Sequence, residues 1–418
     1  MVRFAHLADC HLGAFSRKPL LREYNMLAFE KAMEICAERK VDFIIIAGDL
    51  FHNPMPDMDI VNRAVKALME VKDRGIPVYS VYGSHDYNLA RASLVDVLES
   101  AEVFKNVVNY LESENSLTTV KDPSGISISG LGGRKNRLEV GYYQQMDIEV
   151  PVEGGIFVFH SPIAEMKPVD IPERNVLPMS LLPEGFDYYA GGHIHRRLIG
   201  KKGDSPVVYP GATFGSSYAD LEREDERGFY IVEDLELEYV PLDVCEFTRI
   251  SVSGDGRTSS ELEEVLFKKA AETRVGGVIL LRVHGTLLEG SPENIDFKRI
   301  IREFEGDGDA TVFLNNNSLE SVTQEKVRVD EEAEDEVEKK VLDEYGTPEG
   351  VSKRFPEDLL RILKSDKMDG ETGTDYENRI WNQAYQLMKD MKEHVPVEGD
   401  KVKQPRQITL GDYGGGDA

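Results

Sequence analysis

The first fifty residues set a rhythm that recurs through the first half of the chain. An alternating run, Val2-Arg3-Phe4-Ala5-His6-Leu7, is followed by Leu21, Tyr24, Ala28, Ala32 and Ile35 at helical spacing, and then by the apolar run Phe43 to Ile46. Met58, Val61, Val65, Leu68 and Met69 repeat the helical pattern. Ile76-Pro77 restarts a strand that runs through Tyr79-Ser80-Val81-Tyr82 to Gly83. Strand and helix alternating to about residue 110 predict a largely parallel sheet with crossover helices. From about 117 to 243, short strands alternate with turn signals such as Pro123-Ser124-Gly125 and Glu153-Gly154-Gly155. That pattern predicts a second, more antiparallel sheet packed face to face on the first, with helices outside. This double-sheet α/β unit is expected over residues 1–244.

The grammar then changes. A strand near Phe247 to Val252, a helix from Ser260 to Glu272, a strand from Val278 to Val283, a helix around Ile295 to Phe304 and a strand near Thr311 to Leu314 predict a small α+β domain over 245–322. Among its residues only His284 stands out as a metal-ligand candidate. Between Asp330 and Glu344 nine acids face two lysines, which marks an acidic linker over 323–348. Two amphipathic helices are expected over 349–394. Phe355, Leu359, Ile362 and Leu363 stripe the first, with Pro356 suited to its first turn, and Tyr376, Ile380, Ala384, Leu387 and Met391 stripe the second. Residues 395–418, ending in a glycine run, are expected to be a disordered tail.

Composition narrows the class. A chain of 418 residues with 41% hydrophobic content can bury a large core divided over more than one domain. Cys10, Cys36 and Cys245 make no disulfide framework and suit a reducing compartment. No apolar run nears the length of a membrane span and the chain opens directly on a strand, so a cytoplasmic protein without membrane attachment is expected. The net charge of -27 cautions against a polyanionic partner, because nucleic-acid binders usually carry a basic footprint. Against that background stand the basic groups Arg17-Lys18, Arg134-Lys135 with Arg137, and Arg196-Arg197 with Lys201-Lys202. Such pairs are ordinarily solvated faces, but Arg196 and Arg197 directly follow His195.

Six of the nine histidines, at 11, 52, 85, 160, 193 and 195, fall at predicted strand ends, beside Asp9, Asp49 and Asp86. One such histidine would read as a satisfied structural residue; the joint arrangement does not. Imidazoles and carboxylates without thiolates suit divalent ions such as manganese, iron or zinc. Cys10, between two candidate ligands, should point away from them by strand alternation. Gly83 ends its strand in a sharp turn and presents Ser84, His85 and Asp86 where open α/β sheets place ligands.

The ordered set Asp9-x-His11, Gly48-Asp49, Gly83-Ser84-His85-Asp86, His160 and Gly192-His193-x-His195 resembles the calcineurin-like metallophosphoesterase superfamily. The opening Phe4-Ala5-His6-Leu7-Ala8-Asp9-Cys10-His11-Leu12-Gly13 and the phrase Ala47-Gly48-Asp49-Leu50-Phe51-His52 look like the DNA double-strand-break repair nucleases of the Mre-eleven/SbcD type. The resemblance implies a two-sheet α/β/β/α metallophosphoesterase core, a DNA-binding cap domain, and a C-terminal helical segment that docks a Rad-fifty type ATPase. It implies two Mn2+ ions: Asp9, His11 and His195 on one, His160 and His193 on the other, and Asp49 between them. It also implies a homodimer that acts on double- and single-stranded DNA ends, as a 3′-to-5′ exonuclease and a single-strand and hairpin endonuclease.

Two cations about 3.5–4 Å apart can acidify a water, polarise a phosphate and stabilise the leaving oxygen. His85 would give a proton to that oxygen or stabilise the charged phosphate and Asp86 would orient His85; the resemblance further implies that His52 helps place the DNA end. Ser84 stands where most family members have a metal-ligating asparagine, and its hydroxyl is a shorter, weaker donor. The competing functions are a small-molecule phosphodiesterase or phosphatase of the same superfamily, for which a tethered docking arm has no evident use, and a catalytically weak scaffold, which the full set of histidines disfavours.

Overall fold

The computed structural model describes residues 2–86, 93–107, 110–111, 116–117, 119–133, 141, 143, 154–166, 176–223, 227–273, 275–306, 310–321, 355–363, 365 and 379–387. The chain divides into two units, Met1–Val322 and Thr323–Ala418.

In the first unit β1 (Arg3–Leu7), β2 (Phe43–Ile46), β3 (Val78–Ser80) and β4 (Lys105–Asn106) lie parallel, joined by α1 (Pro19–Glu38), α2 (Met58–Asp73) and α3 (Leu94–Ser100). Between this sheet and the next run the short strands β5 (Tyr110–Leu111) and β6 (Ser116–Leu117), which pair with each other. The second sheet contains β7 (Val120–Lys121), β8 (Ser127–Leu131), β9 (Ile156–His160), β10 (Tyr188–Gly192), β11 (Leu198–Lys202) and β12 (Ser205–Tyr209). After the short helix α4 (Tyr218–Glu222), β13 (Gly228–Glu233) and β14 (Glu236–Pro241) complete the first sheet, whose order is β14-β13-β1-β2-β3-β4.

Two expectations are corrected here. The strands at 228–241 belong to the first sheet, where β13 runs antiparallel to β1. The second sheet, in the order β11-β12-β10-β9-β8-β7, is antiparallel only at its edges; β12, β10, β9 and β8 pair in parallel. Long connections between β8 and β9 and between β9 and β10 allow this, since a parallel pair needs a crossover rather than a tight turn.

Period-2 alternation explains the layers, because successive side chains enter opposite cores. Ala5, Leu7, Ile44 and Ile46 pack under α1 and α2, while Phe4, Phe43, Ile45, Tyr79 and Val81 meet Ile128, Ile156, Val158, Tyr188 and Val208 between the sheets. Within that apolar layer His6 is fully buried, with Nδ1 2.9 Å from the Tyr188 hydroxyl. The outer face of the second sheet, including Phe157, Phe159, Tyr189 and Tyr209, is packed by Ile163, Leu177, Leu182 and Phe186.

Three further parallel strands, β15 (Phe247–Ser253), β16 (Gly277–Leu287) and β17 (Ala310–Ser321), alternate with α5 (Ser259–Glu272) and α6 (Phe297–Glu305). Thr258 and Glu261 close a reciprocal cap at the start of α5. One face of this sheet holds its own core, around Leu262, Leu266, Leu281, Val283 and Ile300. Val278 and Leu280 on the other face join the core beneath α1 and α2.

In the second unit, α7 (Phe355–Leu363) and helical residues 379–387 are described. Phe355, Leu359, Ile362, Ile380 and Leu387 are half-buried and Ala384 is buried, whereas Leu363 is exposed. Trp381 and Tyr385, absent from the expected stripe, are 66% and 54% exposed. Tyr376, Met391, the acidic run and the tail lie outside the described residues.

Candidate metal centre

The carboxyl ends of β1, β2 and β3 face those of β9 and β10, and the candidate ligands occupy the turns just beyond them. The ladder continues past the regular strands: the Asp9 and His11 amides donate to the carbonyls of Gly48 and Asp49, at 3.2 and 2.9 Å. This locks the first two turns together. Asp9, His11, Asp49 and His193 all adopt positive φ, from 46° to 85°. Side-chain-bearing residues rarely hold that conformation, and it tends to be kept where a site demands it. Gly83 and Gly192 are fixed by close approach. A Cβ on Gly83 would fall 1.9 Å from Asp49 Oδ1, and one on Gly192 would fall 1.8 Å from the Ala47 carbonyl.

The expected ligands converge into overlapping groups. Asp9, His11 and His195 form one, and Asp9, Asp49 and His160 a second. Asp49 spans them: its Oδ2 lies 3.2 Å from His160 Nε2 and 3.6 Å from His11 Nε2, while its Oδ1 accepts the His85 amide at 2.8 Å. His193 lies beside His160, with ring centroids 5.2 Å apart, and its amide reaches both Asp9 oxygens at 3.0 Å. Ser84 is half-buried on the turn between Gly83 and His85. Cys10 points into the apolar core, as alternation predicts, and burial pushes its thiol pKa up.

The ring nitrogens suit a cation. His160 Nδ1 donates to the Ala47 carbonyl at 2.8 Å, which turns the buried Nε2 toward Asp49. His195 Nδ1 donates to Asp220 at 3.0 Å, leaving Nε2 only 3.0 Å from His11 Nε2. Two neighbouring imidazoles each about 2.1 Å from one ion stand about this close. Burial, followed by the influence of neighbouring histidines, holds His193 down at about 3 and keeps it neutral. Burial also opposes a charge on Asp49, but His160 and His11 outweigh it and hold its pKa low. His160 moves the other way: burial opposes its charge, yet Asp49 and Asp9 raise its pKa to about 10. Burial raises the Asp9 carboxyl to about 6 and holds His11 neutral, so Asp49 is the carboxylate most firmly ionised, and this donor set of imidazoles and carboxylates fits divalent ions.

His85 and His52 form the outer wall. Their rings stack with centroids 5.3 Å apart, and both approach His11 closely enough to form a third ligand group. His85 Nδ1 donates to the His52 carbonyl at 2.8 Å, which aims Nε2 away from that carbonyl. The expectation that Asp86 orients His85 is corrected. Its buried carboxylate accepts the amides of Leu50, Phe51 and Gly83 at 3.0–3.1 Å and so pins the β2 and β3 turns together.

Sequence reading missed Asp220. Its Oδ2 receives His195, both Ser216 donors and both Ser217 donors, and its Oδ1 receives Arg223. Ser217-x-x-Asp220 was readable as a helix cap, but nothing local ties it to a histidine 25 residues earlier. Several of the basic side chains singled out earlier have structural partners. Lys18 bonds the Val312 carbonyl, Lys202 pairs with Glu184, and Arg197 lies 4.3 Å over the Tyr239 ring; Arg134, Lys135 and Arg137 are outside the described residues.

Residues 2–197 match the calcineurin-like phosphoesterase family. The chain is 29% identical over 280 residues to the DNA double-strand break repair protein Mre11 of Methanopyrus kandleri, covering 61% of this chain and 60% of that protein. It is 27% identical over 278 residues to the Archaeoglobus fulgidus protein of the same name, covering 61% and 62%. The Encephalitozoon cuniculi double-strand break repair protein MRE11 is 28% identical over 276 residues, covering 56% of this chain and 46% of that one. The matched region thus spans less than two thirds of each of these relatives. The converging strand ends and the span of these matches agree: residues 2–197 are similar to the calcineurin-like phosphoesterases, and the chain is similar over somewhat more than half its length to Mre11 double-strand break repair proteins.

Proposed function

We propose that this protein is a two-metal, manganese-dependent nuclease of DNA double-strand-break repair, hydrolysing ends 3′-to-5′ and cutting single strands and hairpins. The observation that carries this reading is the position of Asp49 Oδ2 between His11 Nε2 and His160 Nε2, where one carboxylate oxygen can serve both ligand groups. Asp9, His11 and His195 would hold one ion, and His160, His193 and the Ser84 hydroxyl the other. The chemistry such a pair supplies when bound is charge neutralisation at the phosphate and an acidified attacking water.

The protein's own groups do the rest. Asp49 keeps the two ligand groups in register while its second oxygen holds the His85 amide. His85, fixed through Nδ1 on the His52 carbonyl, turns Nε2 toward the phosphate to give a proton to the leaving oxygen or to share the developing charge. The stacked His52 ring braces it and lines the path of the DNA end. Residues 245–322 would form the DNA-binding cap. The helices within 349–394 would dock a Rad-fifty type ATPase across the acidic linker 323–348, with 395–418 as a tail, in a cytoplasmic homodimer. The likeness to the calcineurin-like phosphoesterases and the relatives' role in break repair favour DNA over a small phosphodiester.

The test is the purified full chain with Mn2+ on 3′-labelled duplex and hairpin DNA, beside a chromogenic phosphodiester. Release of the 3′ label as mononucleotide with weak chromogen turnover is expected. Rapid chromogen hydrolysis with intact DNA would reassign the protein as a small-molecule esterase.

A further inference from the structure

The candidate ligand His195 is the end of a chain of contacts that begins in the sheet formed by residues 247–321. Its Nδ1 donates to Asp220, which lies in the middle of α4, a helix of five residues. All three strands of the distal sheet send a side chain to this helix. From β15, Arg249 donates to the carbonyls of Glu222 at 2.9 Å, Arg223 at 2.9 Å and Leu221 at 3.3 Å. From β16, Arg282 grips the Glu222 carboxylate with two nitrogens. From β17, Phe313 packs edge-on against Tyr218, with centroids 5.3 Å apart.

A helix this short has little stability of its own. Its C-terminal carbonyls instead meet guanidinium groups: Arg249 and Arg227, the latter reaching the carbonyls of Asp220, Leu221 and Arg223. Arg282 also sits where the register of β16 against β17 shifts, between Arg282 and His284. Such bulges re-aim side chains, and a paired guanidinium–carboxylate contact fixes direction as well as distance.

We propose that α4 is a positioning element through which the seating of the distal sheet sets the orientation of His195, with Glu222, Arg282 and Asp220 as its positioning residues. A carboxylate behind a ligating imidazole fixes its tautomer and ring angle, so a shift of α4 transmitted through Asp220 changes the ion affinity of the Asp9, His11 and His195 group. A movement of the sheet on the core, as when a partner or a DNA strand loads it, is read out at the metal without touching it. The inference rests on the reading of those three residues as ligands of one ion.

The test is Mn2+ titration calorimetry on the full chain, stripped with chelator, for wild type, Asp220→Asn, Arg282→Met, Glu222→Gln and the Asp220→Asn/Arg282→Met double variant. Asp220→Asn is expected to weaken one site about ten- to a hundredfold, the usual effect of losing such a partner. Arg282→Met and Glu222→Gln should weaken that same site several-fold and spare the other. The double variant should bind no worse than Asp220→Asn alone, because the arginine acts through the carboxylate. Reversing the pair, Glu222→Arg with Arg282→Glu, should restore affinity. Unchanged binding in both Arg282→Met and Glu222→Gln, or losses that multiply in the double variant, would overturn the proposal. If Arg282→Met does not fold, Glu222→Gln and the reversed pair decide the matter alone. A wild-type chain that binds no Mn2+ would instead overturn the metal-site reading.

Discussion

His85 and Asp86 are adjacent in sequence and do different work. The His85 imidazole is exposed, hydrogen-bonded to the His52 carbonyl and stacked on the His52 ring, so its removal should leave the surrounding structure intact. His85→Ala is expected to keep both ions while nuclease turnover falls at least about a hundredfold, the lower range for a lost general acid; a collapse of metal content would show that it is a ligand. Asp86 is buried and satisfies three amides. Asp86→Ala strands those donors and is expected to cost about 3 kcal/mol or more of unfolding free energy, measured by urea denaturation, with activity lost as a consequence. Normal stability in that variant would contradict the structural role. Ser84 gives a prediction of opposite sign. In the proposed centre its hydroxyl would offer the second ion only a weak neutral donor, so Ser84→Asn should tighten the weaker Mn2+ site and lower the manganese needed for half-maximal activity. Calorimetry showing both sites unchanged would mean that a water already serves there.

At the scale of elements, the chain's legibility follows what each pattern physically encodes. The positions of the six candidate histidines, Asp9 and Asp49 at strand ends were readable because strand ends are marked locally, by alternation running into glycine or a polar turn. The parallel pairing of β8, β9, β10 and β12 was not, because strand direction is set by the connections, and residues 132–155 and 161–187 carry no strong helical period. Asp86 was misread for a related reason: neighbours along the chain were taken as neighbours in space. In the C-terminal unit the visible stripe was Ile380, Ala384 and Leu387, yet Trp381 and Tyr385 hold a second, exposed surface four residues apart on one helical face. A paired aromatic surface of this kind fits the proposed docking of these helices on the ATPase, by the mode in which an amphipathic helix lays its apolar face on a partner. Deleting residues from Thr347 onward should leave Mn2+-dependent cleavage of short DNA unchanged while abolishing co-purification with the ATPase and any ATP stimulation. Aggregation or lost basal cleavage after the deletion would assign these helices to the core.

The whole molecule carries 76 acidic residues against 49 basic ones, a net charge of -27, yet is proposed to grip a polyanion. Two consequences of that imbalance pull in opposite directions with salt. Self-repulsion of a strongly charged chain destabilises its compact state, and salt relieves it by shortening the screening length from about 10 Å at 0.1 M to about 3 Å at 1 M. Contacts to phosphates weaken over the same range, because DNA binding by cationic side chains releases counterions that salt drives back. Thermal melting of the metal-free chain at neutral pH should therefore rise between 0.1 and 1 M KCl (about a tenfold range) and then flatten, while affinity for duplex ends falls. The flattening separates screening from a general salt effect on apolar burial, which would keep growing with concentration. Bound Mn2+ should raise the melting temperature at every salt level, since a ligand at about a hundred times its dissociation constant adds about 2.7 kcal/mol. Because Asp9 and Asp49 are buried, that increment should survive in 1 M KCl; exposed pairs at this ionic strength, about 3 Å of screening length, would not. A melting temperature that falls steadily with KCl would show that attractive surface pairs, such as Arg63 with Glu23 and Glu30, outweigh the net repulsion.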